Sequence, residues 1–580
     1  MDKFEVKDDF YLNNRRIKII SGGMHYFRIL PEYWRDRLEK LKALGCNTVE
    51  TYIPWNLHEM HKGKFDFSGM LDIVRFVKTA QELGLMVILR PSPYICAEWE
   101  FGGLPFWLLK EDGMKLRCMY EPYIQHLREY YKVLFEVIAP LQITRGGPVI
   151  MMQVENEYGY YGDDKAYLEY LKELMVENGC EVPFVTSDGP WGNAFEFGKV
   201  KGVLQTGNFG SKGREQFQVM KSKMEKGPLM CMEFWVGWFD AWGNEHHTGD
   251  VDSHLQDLDD MLSLGSVNIY MFIGGTNFGF MNGANYYGRL EPDVTSYDYD
   301  ALLTEDGQIT RKYREFQKVI SKYAELPQID INSDIQKKAY GKVEVRRTAD
   351  LFRNLKNLAV PKHSLCPQSM EKLDQGYGYI MYESRLSMEE PINKIRLWKA
   401  NDRANIFIDE KLAITLYDRE LLTEHDLDGI DGKAEKIDIL VENMGRVNFT
   451  PIIEEQRKGI DGGVQINGAL HFYWDIYCLP LENLDGVDYS YPAVEGCPGF
   501  YEFCLEVMEP EDTFLDMTGW GKGVVFINGF NIGRFWEIGP QRRLYVPGTL
   551  LKKGQNTVVV FETEGKISSI IQFCEQAGLE

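Results

Sequence analysis

The sequence contains ten cysteines but no two of them separated by two residues. Zinc sites and thiol redox motifs commonly use that spacing, and disulfide frameworks are typical of short secreted chains. Several cysteines, such as Cys231 and Cys504, lie inside apolar runs. We therefore predict buried free thiols in a reducing compartment. The adjacent pair His246-His247 has no partners at ligand spacing, so we predict a solvated loop there and no metal site.

Long apolar runs are also missing. No stretch of about 18 apolar residues exists that could form a membrane-spanning helix. The first eight residues contain no apolar segment typical of a signal peptide. These absences predict a cytoplasmic protein without a membrane partner, with the removal of a signal peptide as the alternative.

Positive charge is scarce, since 64 lysines and arginines face 87 aspartates and glutamates for a net charge of −23. Nucleic acids and anionic membranes bind basic patches, so neither is an expected partner. With 44% hydrophobic and 26% charged residues the composition is that of a globular protein. A chain of 580 residues is too long for one hydrophobic core, and we expect two to four domains.

Residues 1–330 alternate short apolar runs with amphipathic helical patterns. The predicted strands are 17–21, 48–52, 85–90, 149–154, 183–187, 203–206, 229–232 and 267–273. The predicted helices include 33–44, 71–83, 123–141, 165–177 and 254–264. Eight strands separated by helices over this length predict an α/β fold, a (β/α)₈ TIM barrel. A doubly wound open sheet is the alternative, although no G-x-G-x-x-G turn follows the first strand.

Two of these strands are followed by glutamates. The apolar run 148–154 leads into Glu155, Asn156 and Glu157, and the run 228–232 leads into Glu233. Strands four and seven stand across the mouth of a barrel, where such enzymes keep their chemistry. Two carboxyl groups so placed suit glycoside hydrolysis, in which one protonates the leaving oxygen and the other attacks or activates water. Glu155 would lie one pleat deeper in a supporting position; salt-bridge partnership is the structural alternative for Glu157 and Glu233.

Six sequence blocks between residues 20 and 310 follow one another in the order seen in a known family. They are TYIPWN (51–56), RPSPYICAEWEFGGLP (90–105), QVENEYG (153–159), EFWVGWFDAWG (233–243), GGTNFG (274–279) and TSYDYD (295–300). These blocks resemble those of glycoside hydrolase family 35, the β-galactosidases. The resemblance implies an exo-acting retaining β-galactosidase that removes terminal β-D-galactosyl residues from oligosaccharides or glycans by double displacement. A preference for β1,3 linkages is one alternative that it leaves open.

The resemblance also implies roles for individual residues. Glu157 would be the general acid/base, Glu233 the nucleophile, Asn156 a partner of the sugar 2-OH, and Trp238 an apolar face for the sugar ring. The galactose hydroxyls would be held by Tyr52, Cys96, Ala97, Glu98 and Tyr299, with the Glu98 carboxylate reading the axial O4. A core position with a satisfied hydroxyl is the alternative for Tyr52 and Tyr299. No metal or organic cofactor is implied, and the partner is a galactoside oligosaccharide.

Past about residue 330 the helical stripes disappear, and short alternating runs between Gly, Asn and Asp turns predict β-sandwiches. The predicted strands include 379–386, 394–399, 404–408 and 436–441. The segment ANIFIDE (404–410) echoes GVVFING (523–529), and an apolar strand follows each, so two jelly-roll-like modules are predicted. We place the catalytic barrel at 1–330, a first β-sandwich at 331–480 and a second at 481–580. A strand near 340–350 is open to assignment to the last module.

The segment 529–536 resembles the galactose-binding-like domain at the C-terminus of family 35 enzymes. A fold does not make a domain a sugar binder, and we predict a structural role packed on the barrel. Two functions therefore remain open, a retaining β-galactosidase and a carbohydrate-binding protein that has lost catalysis. Release of nitrophenol from an aryl β-galactoside distinguishes them. The oligomeric state, monomer or homodimer, is left open.

Overall fold

The computed structural model describes residues 2–91, 93–332, 335–386, 391–427 and 433–579. Ser92, which belongs to the 90–105 block, lies outside the described residues. A small antiparallel sheet begins the chain and consists of β1 (Phe4–Val6), β2 (Phe10–Leu12) and β3 (Arg15–Ile17). Among the residues described, no helix combines the length and the apolar character needed to cross a bilayer.

Parallel strands then close into a barrel, which within the described ranges has eight members in the order β10-β11-β4-β5-β6-β7-β8-β9. The strands are β4 (Ile20–Met24), β5 (Thr48–Tyr52), β6 (Met86–Arg90), β7 (Val149–Gln153), β8 (Phe184–Asp188), β9 (Leu204–Phe209), β10 (Met230–Trp235) and β11 (Ser266–Ile273). Nearly every residue of these strands is buried, because helices cover the outside and side chains fill the inside. The predicted (β/α)₈ barrel is confirmed.

Helices surround the barrel. They are α1 (Trp34–Ala43), α2 (Trp55–His58), α3 (Ile73–Glu82), α4 (Glu121–Ile138), α5 (Tyr158–Tyr161), α6 (Lys165–Glu177), α7 (Ala194–Phe197), α8 (Gly213–Lys223), α9 (Val251–Leu264) and α10 (Arg311–Ile320). Gly45 and Gly84 follow α1 and α3 with φ of 104° and 70°, the left-handed conformation that ends a helix. The helices predicted from the apolar stripes are present to within a few residues.

Three predicted strands differ from the structure by three residues at an end, and one of them, predicted at 203–206, continues to Phe209 as β9. The first strand was predicted at 17–21 but runs from Ile20 to Met24, because Arg15–Ile17 pairs with β2 instead. In the barrel a Cβ on Gly22 would lie 2.6 Å from Leu41, so glycine permits the close approach of α1. The seventh strand was predicted to end before Glu233, but β10 continues to Trp235 and Glu233 lies inside it.

The all-β part follows a short hairpin, β12 (Ala284–Tyr286) and β13 (Leu290–Pro292). Contrary to the prediction that helices end near residue 330, one further helix, α11 (Leu351–Leu358), follows β14 (Gly341–Asp350). The next strands are β15 (Lys362–Ser364), β16 (Tyr379–Arg385), β17 (Lys394–Asn401), β18 (Arg403–Ile408), β19 (Lys411–Tyr417), β20 (His425–Asp426), β21 (Lys436–Glu442), β22 (Val447–Phe449), β23 (Gly459–Ile466), β24 (Ala469–His471) and β25 (Trp474–Leu479). The last strands are β26 (Gly499–Val507), β27 (Thr513–Asp516), β28 (Lys522–Ile527), β29 (Phe530–Trp536), β30 (Arg543–Val546), β31 (Gly554–Glu562) and β32 (Ile570–Cys574).

The internal repeat corresponds to two equivalent hairpins. In one sheet the order β19-β18-β21-β16-β25 begins with the hairpin turn Asp409-Glu410, and in the other the order β29-β28-β31-β26-β14 begins with Asn528-Gly529. All four turn residues have positive φ, as the predicted Asn-Gly turn requires. Strand β14 pairs with β26 and β32, so its partners belong to the last module although it precedes the first. The boundaries at 331–480 and 481–580 remain predictions.

Strand β22 lies outside the sheets of the first β module and pairs with β12, in the hairpin that follows the last barrel strand, in the sheet order β13-β12-β22. The register places Phe449 beside Asn285. Residues of the first β module thereby reach the C-terminal end of the barrel strands. The cysteines, all within the described ranges, are free, and Cys504 is only partly buried.

Candidate active site

A cavity of about 290 Å³ opens at the C-terminal end of the barrel strands. All nine residues predicted for the site line it: Tyr52, Cys96, Ala97, Glu98, Asn156, Glu157, Glu233, Trp238 and Tyr299. They come from β5, β10 and the loops after β6, β7, β10 and β11, so barrel closure joins segments nearly 250 residues apart, from Tyr52 to Tyr299. Glu157 and Glu233 face the same cavity.

Glu233 accepts hydrogen bonds from three donors. The Tyr52 hydroxyl lies 2.7 Å and Nη2 of Arg90 lies 2.6 Å from its Oε1, while Nε1 of Trp235 lies 3.0 Å from Oε2. One donor is a guanidinium cation, so an anionic carboxylate has its lone pairs satisfied. The barrel pairing of β10 with β9 shifts register between Cys231 and Glu233, and this irregularity lets a residue inside the strand reach the cavity.

Asn156 is oriented by three donors to its amide oxygen. Oδ1 accepts from Nη2 of Arg90 at 2.8 Å and from Nε2 of Gln153 at 3.0 Å, and it lies 2.9 Å from the Tyr52 hydroxyl, whose one hydrogen it shares with Glu233. Its Nδ2 donates to the carbonyl of Ile95 at 3.2 Å, and an amide nitrogen carries two hydrogens. With the oxygen occupied, Asn156 offers a ligand a donor and not an acceptor.

The surroundings of Glu157 favour the protonated form of its carboxyl group. Burial and the nearby charge of Glu233 raise the pKa of Glu157 to about 8, and a hydrogen bond from Nδ2 of Asn208 at 3.1 Å works in the opposite direction. At neutral pH the carboxyl group is therefore mainly protonated and able to act as an acid. The backbone of Glu157 is left-handed, with φ 46°, and its N–H donates to the carbonyl of Ser187 at 3.0 Å.

The segment Cys96-Ala97-Glu98 forms a left-handed turn, with φ of 56°, 56° and 47°. Such a conformation is costly for residues other than glycine, about 1–3 kcal/mol each, and persists where the surroundings hold it. Here Nη2 of the buried Arg28 donates to the carbonyls of Ala97 at 2.5 Å and Glu98 at 3.3 Å. Glu98 accepts from the hydroxyl of Tyr297. Burial raises the pKa of Glu98 to about 7, while the Tyr297 bond lowers it.

Cys96 is a thiol and not a nucleophile in this setting. Burial and the charge of Glu98 raise its pKa well above the ordinary value, and a thiolate is the reactive form of cysteine. Nδ2 of Asn448, from the first β module, donates to its sulfur at 3.5 Å. Cys96 therefore forms part of the cavity wall.

Glu155 occupies the supporting position that was predicted for it. Its oxygens accept from Nε and Nη2 of Arg117 at 3.0 and 2.8 Å and from the hydroxyl of Tyr167 at 3.1 Å. The same Nη2 donates to the carbonyl of Asn156 at 2.8 Å. This buried ion pair fixes the backbone that carries Asn156 and Glu157.

Several cavity residues were not predicted. Arg90 and Asn208 contact the two acids. Arg90 ends the apolar run of β6, whereas Asn208 lies in the largely polar strand β9, beyond the end predicted for that strand. Aromatic residues also line the cavity: Tyr160, Trp191, Trp235, Phe239, Tyr270, Tyr287 and Phe449. Trp191 packs against both Trp235 and Tyr160, and Tyr160 packs against Phe449. The 233–243 block contains Trp235 and Phe239, but no local signal links Phe449 to the barrel.

Comparison with known proteins identifies the family of this chain. Residues 9–323 match the profile described as "Glycosyl hydrolases family 35". The chain belongs to glycosyl hydrolase family 35. Two further matches, "Beta-galactosidase, first all-beta domain" at 367–481 and "Beta-galactosidase, galactose-binding domain" at 498–556, cover much of the all-β part. The resemblance seen in the six sequence blocks is confirmed, and the chain is a glycoside hydrolase with the domain set of the β-galactosidases.

Relatives of this family 35 chain match it along nearly its full length. It is 42% identical to human "Beta-galactosidase-1-like protein 2", over 98% of this chain and 90% of that protein. It is 38% identical to "Beta-galactosidase 1" of Dictyostelium discoideum, over 96% of this chain and 91% of the relative. The mouse protein "Beta-galactosidase" is also 38% identical, with coverage of 96% and 91%.

Proposed function

We propose that this family 35 enzyme is an exo-acting retaining β-galactosidase that hydrolyses terminal non-reducing β-D-galactosyl residues by double displacement. One observation carries the proposal: a carboxyl group that holds its proton at neutral pH, Glu157, shares a cavity with a glutamate bonded only to donors, Glu233. Retaining hydrolysis needs this division of roles between two carboxyl groups.

In the first step an oxygen of Glu233 forms a bond to the anomeric carbon while the bond from that carbon to the glycosidic oxygen breaks. Glu157 gives its proton to the departing oxygen, and the aglycone leaves as an alcohol. In the second step the Glu157 carboxylate takes a proton from water, whose oxygen attacks the anomeric carbon. The ester bond to Glu233 then breaks, so both side chains return to their starting state.

The remaining cavity residues suit recognition of one galactosyl unit. Asn156 presents a donor to the 2-OH, a contact that strengthens at the transition state. Glu98 presents a carboxylate to the axial O4, with Tyr52, Cys96, Ala97 and Tyr299 around the other hydroxyls and Trp238 against the ring. A cavity of about 290 Å³ lies at the small end for ligand pockets, which supports removal of single terminal residues.

The aromatic rings at the opening of the cavity affect which glycosidic linkage the enzyme can accept. Trp191, Tyr160 and Phe449 form a row of rings at the opening, so a second sugar has to leave the cavity in a restricted direction. The proposal includes a preference for β1,3-linked galactosides among the linkages that family 35 enzymes cleave. Initial rates on β1,3-, β1,4- and β1,6-linked galactosides test this part separately; equal rates would remove the linkage preference and leave the chemistry intact.

Nitrophenol release from nitrophenyl β-galactoside tests the chemistry. We expect Glu233→Ala to remove almost all turnover, because no other side chain replaces the attacking oxygen, and Glu157→Ala to do the same with substrates whose leaving group needs a proton. Glu225→Ala, at an exposed glutamate, is the matched control and should keep parent activity. A folded Glu233→Ala variant with near-parent activity would refute the proposal and favour a carbohydrate-binding role.

The same assay separates galactosidase activity from a related specificity. Nitrophenyl β-glucoside differs at C4, where the hydroxyl is equatorial and no longer meets the Glu98 carboxylate as the axial O4 would. We expect clear preference for the galactoside. A preference for the glucoside would show that the enzyme is a different retaining barrel glycosidase.

A further inference from the structure

A polar groove of about 640 Å³ lies beside the catalytic cavity, between the barrel and the first β module. Leu109 and Met114 of the barrel line one side, and Lys399, Thr450 and Gln456 of the β module line the other. The function proposed above does not use this groove.

One pair of strands separates the groove from the catalytic cavity. On β12 and the residue after it, Asn285 and Tyr287 line the cavity while Tyr286 between them lines the groove. On the paired strand β22, Phe449 lines the cavity and the next residue, Thr450, lines the groove. A chain leaving the cavity over this rim would enter the groove directly.

The rim is apolar and open to solvent. Tyr286 is 44%, Phe449 39% and Ile452 46% exposed, although all three are large apolar or aromatic side chains. Exposed apolar side chains gathered beside a cleft are typical of ligand-binding surfaces. Aromatic rings at such a rim suit the apolar faces of sugar rings, which also carry hydroxyls for polar neighbours.

The charges of the groove indicate what it can bind. Its acidic lining residues are Glu111, Asp418, Glu454, Glu455 and Asp461, against the cations Lys399 and Arg457. Carboxylates accept hydrogen bonds from hydroxyl groups, but they repel sulfate, carboxylate and phosphate groups. The groove therefore suits neutral sugars and opposes anionic ones.

We propose that this groove is a distal subsite for the neutral sugars that follow the first sugar of the aglycone. The preferred substrates are then neutral β-galactosyl-terminated oligosaccharides of three or more sugars. The inference rests on the proposed β-galactosidase activity and adds the chain length and charge of the substrate. The proposal takes contacts to these remote sugars to be made equally in the ground state and the transition state, and such uniform contacts lower KM and leave kcat unchanged.

The test compares three substrates: nitrophenyl β-galactoside, a β-galactosyl disaccharide, and a neutral tetrasaccharide with the same terminal linkage. We expect the parent enzyme to have a higher kcat/KM for the tetrasaccharide than for the disaccharide. Tyr286→Ala should lower kcat/KM for the tetrasaccharide about tenfold, because the loss of one apolar contact raises KM by about that factor. The same variant should hydrolyse nitrophenyl β-galactoside at the parent rate. Tyr491→Ala, at another half-exposed tyrosine, is the matched control and should change neither.

A second variant tests the charge and does not alter the strand pair. The parent should hydrolyse a tetrasaccharide sulfated at its distal sugar more slowly than the neutral one. Glu455→Lys, at an exposed groove residue, should reduce the ratio of the rate on the neutral tetrasaccharide to the rate on the sulfated one. Equal kcat/KM values for tetrasaccharide and disaccharide in the parent, or an unchanged ratio in both variants, would overturn the subsite. Failure of the parent to hydrolyse nitrophenyl β-galactoside would instead overturn the proposed function on which the subsite depends.

Discussion

At the residue scale, the protonation of Glu157 depends on a small number of neighbours. Burial and the charge of Glu233 raise its pKa, and the hydrogen bond from Asn208 lowers it. Proton transfer to the leaving oxygen is most efficient when the pKa of the acid lies near the working pH. A single amide on β9 thereby helps to set the pH range over which the acid can act.

The alkaline side of the pH profile should report Glu157. Glu157 acts as an acid only while protonated, so kcat/KM should fall as the pH rises through about 8. Asn208→Ala removes a bond to the ionised form, which should raise the pKa of Glu157 and move this fall to higher pH. The measurement is kcat/KM for nitrophenyl β-galactoside between pH 5 and about 10.

Asn178→Ala, at a residue that bonds only within the end of α6, serves as the control and should leave the profile in place. An alkaline fall that does not move in Asn208→Ala, or moves to lower pH, would contradict the assignment of this limb to Glu157. With dinitrophenyl β-galactoside, whose leaving group needs little protonation, the alkaline fall in kcat/KM of the parent enzyme should be smaller.

At the scale of elements, the loop after β6 adopts its shape against local preference. Three consecutive residues with side chains, Cys96, Ala97 and Glu98, are left-handed, and Nη2 of Arg28 donates to two of their carbonyls. Arg28 is itself fixed by Asn277, whose Oδ1 lies 2.8 Å from its Nε. The strain in this loop is maintained by tertiary contacts from the segment after β4 and from the loop after β11.

Arg28→Lys should lower kcat/KM by about 100-fold, because lysine lacks the Nε–H that bonds Asn277. The ammonium is then no longer fixed against the carbonyls of Ala97 and Glu98, and Glu98 shifts relative to the galactose. The melting temperature should fall as well. Arg35→Lys, at an exposed arginine on α1, is the control for the same substitution and should change neither quantity. An Arg28→Lys variant with parent kcat/KM would show that Glu98 does not depend on this turn.

At the scale of the whole molecule, one guanidinium connects three parts of the chain. Arg534 of the last module donates to Glu442 at 2.6 Å and to the carbonyl of Asn443 at 2.6 Å, both in the first β module. It also donates to Asn282 of the barrel at 2.9 Å. Glu442 accepts from Lys522 as well, so the buried charges are paired. The galactose-binding-like module thus packs on the barrel, the arrangement predicted for a structural role.

Arg534→Met should reduce the free energy of unfolding by about 3–5 kcal/mol, because it leaves Glu442 buried with one partner fewer. Urea unfolding followed by fluorescence measures this loss. Arg542→Met, at a partly exposed arginine of the same module that has no carboxylate partner in the described structure, should cost less than about 0.5 kcal/mol. Equal stability of the two variants would mean that the three-way contact contributes nothing to cohesion of the domains.

The sequence by itself determined the features that depend on local periodicity and turn chemistry. Buried strands show as apolar runs, barrel helices as stripes that end at Gly45 and Gly84, and the Asn528-Gly529 hairpin as a pair of residues tolerant of positive φ. The two glutamates were found because polar residues after buried strands collect at one face of a barrel. The finer residue roles came from resemblance and not from periodicity.

Only the tertiary structure decided which side chains surround those glutamates. Arg90, Asn208 and Phe449 come from strands whose contact with the site depends on barrel closure and on the pairing of β22 with β12. Glu233 lies within its strand, where an irregular register and not the end of an apolar run directs it to the cavity. Apolar periodicity reports that a residue is buried, but it carries no information about which distant residue lies opposite. That partner is set by contacts between segments hundreds of residues apart.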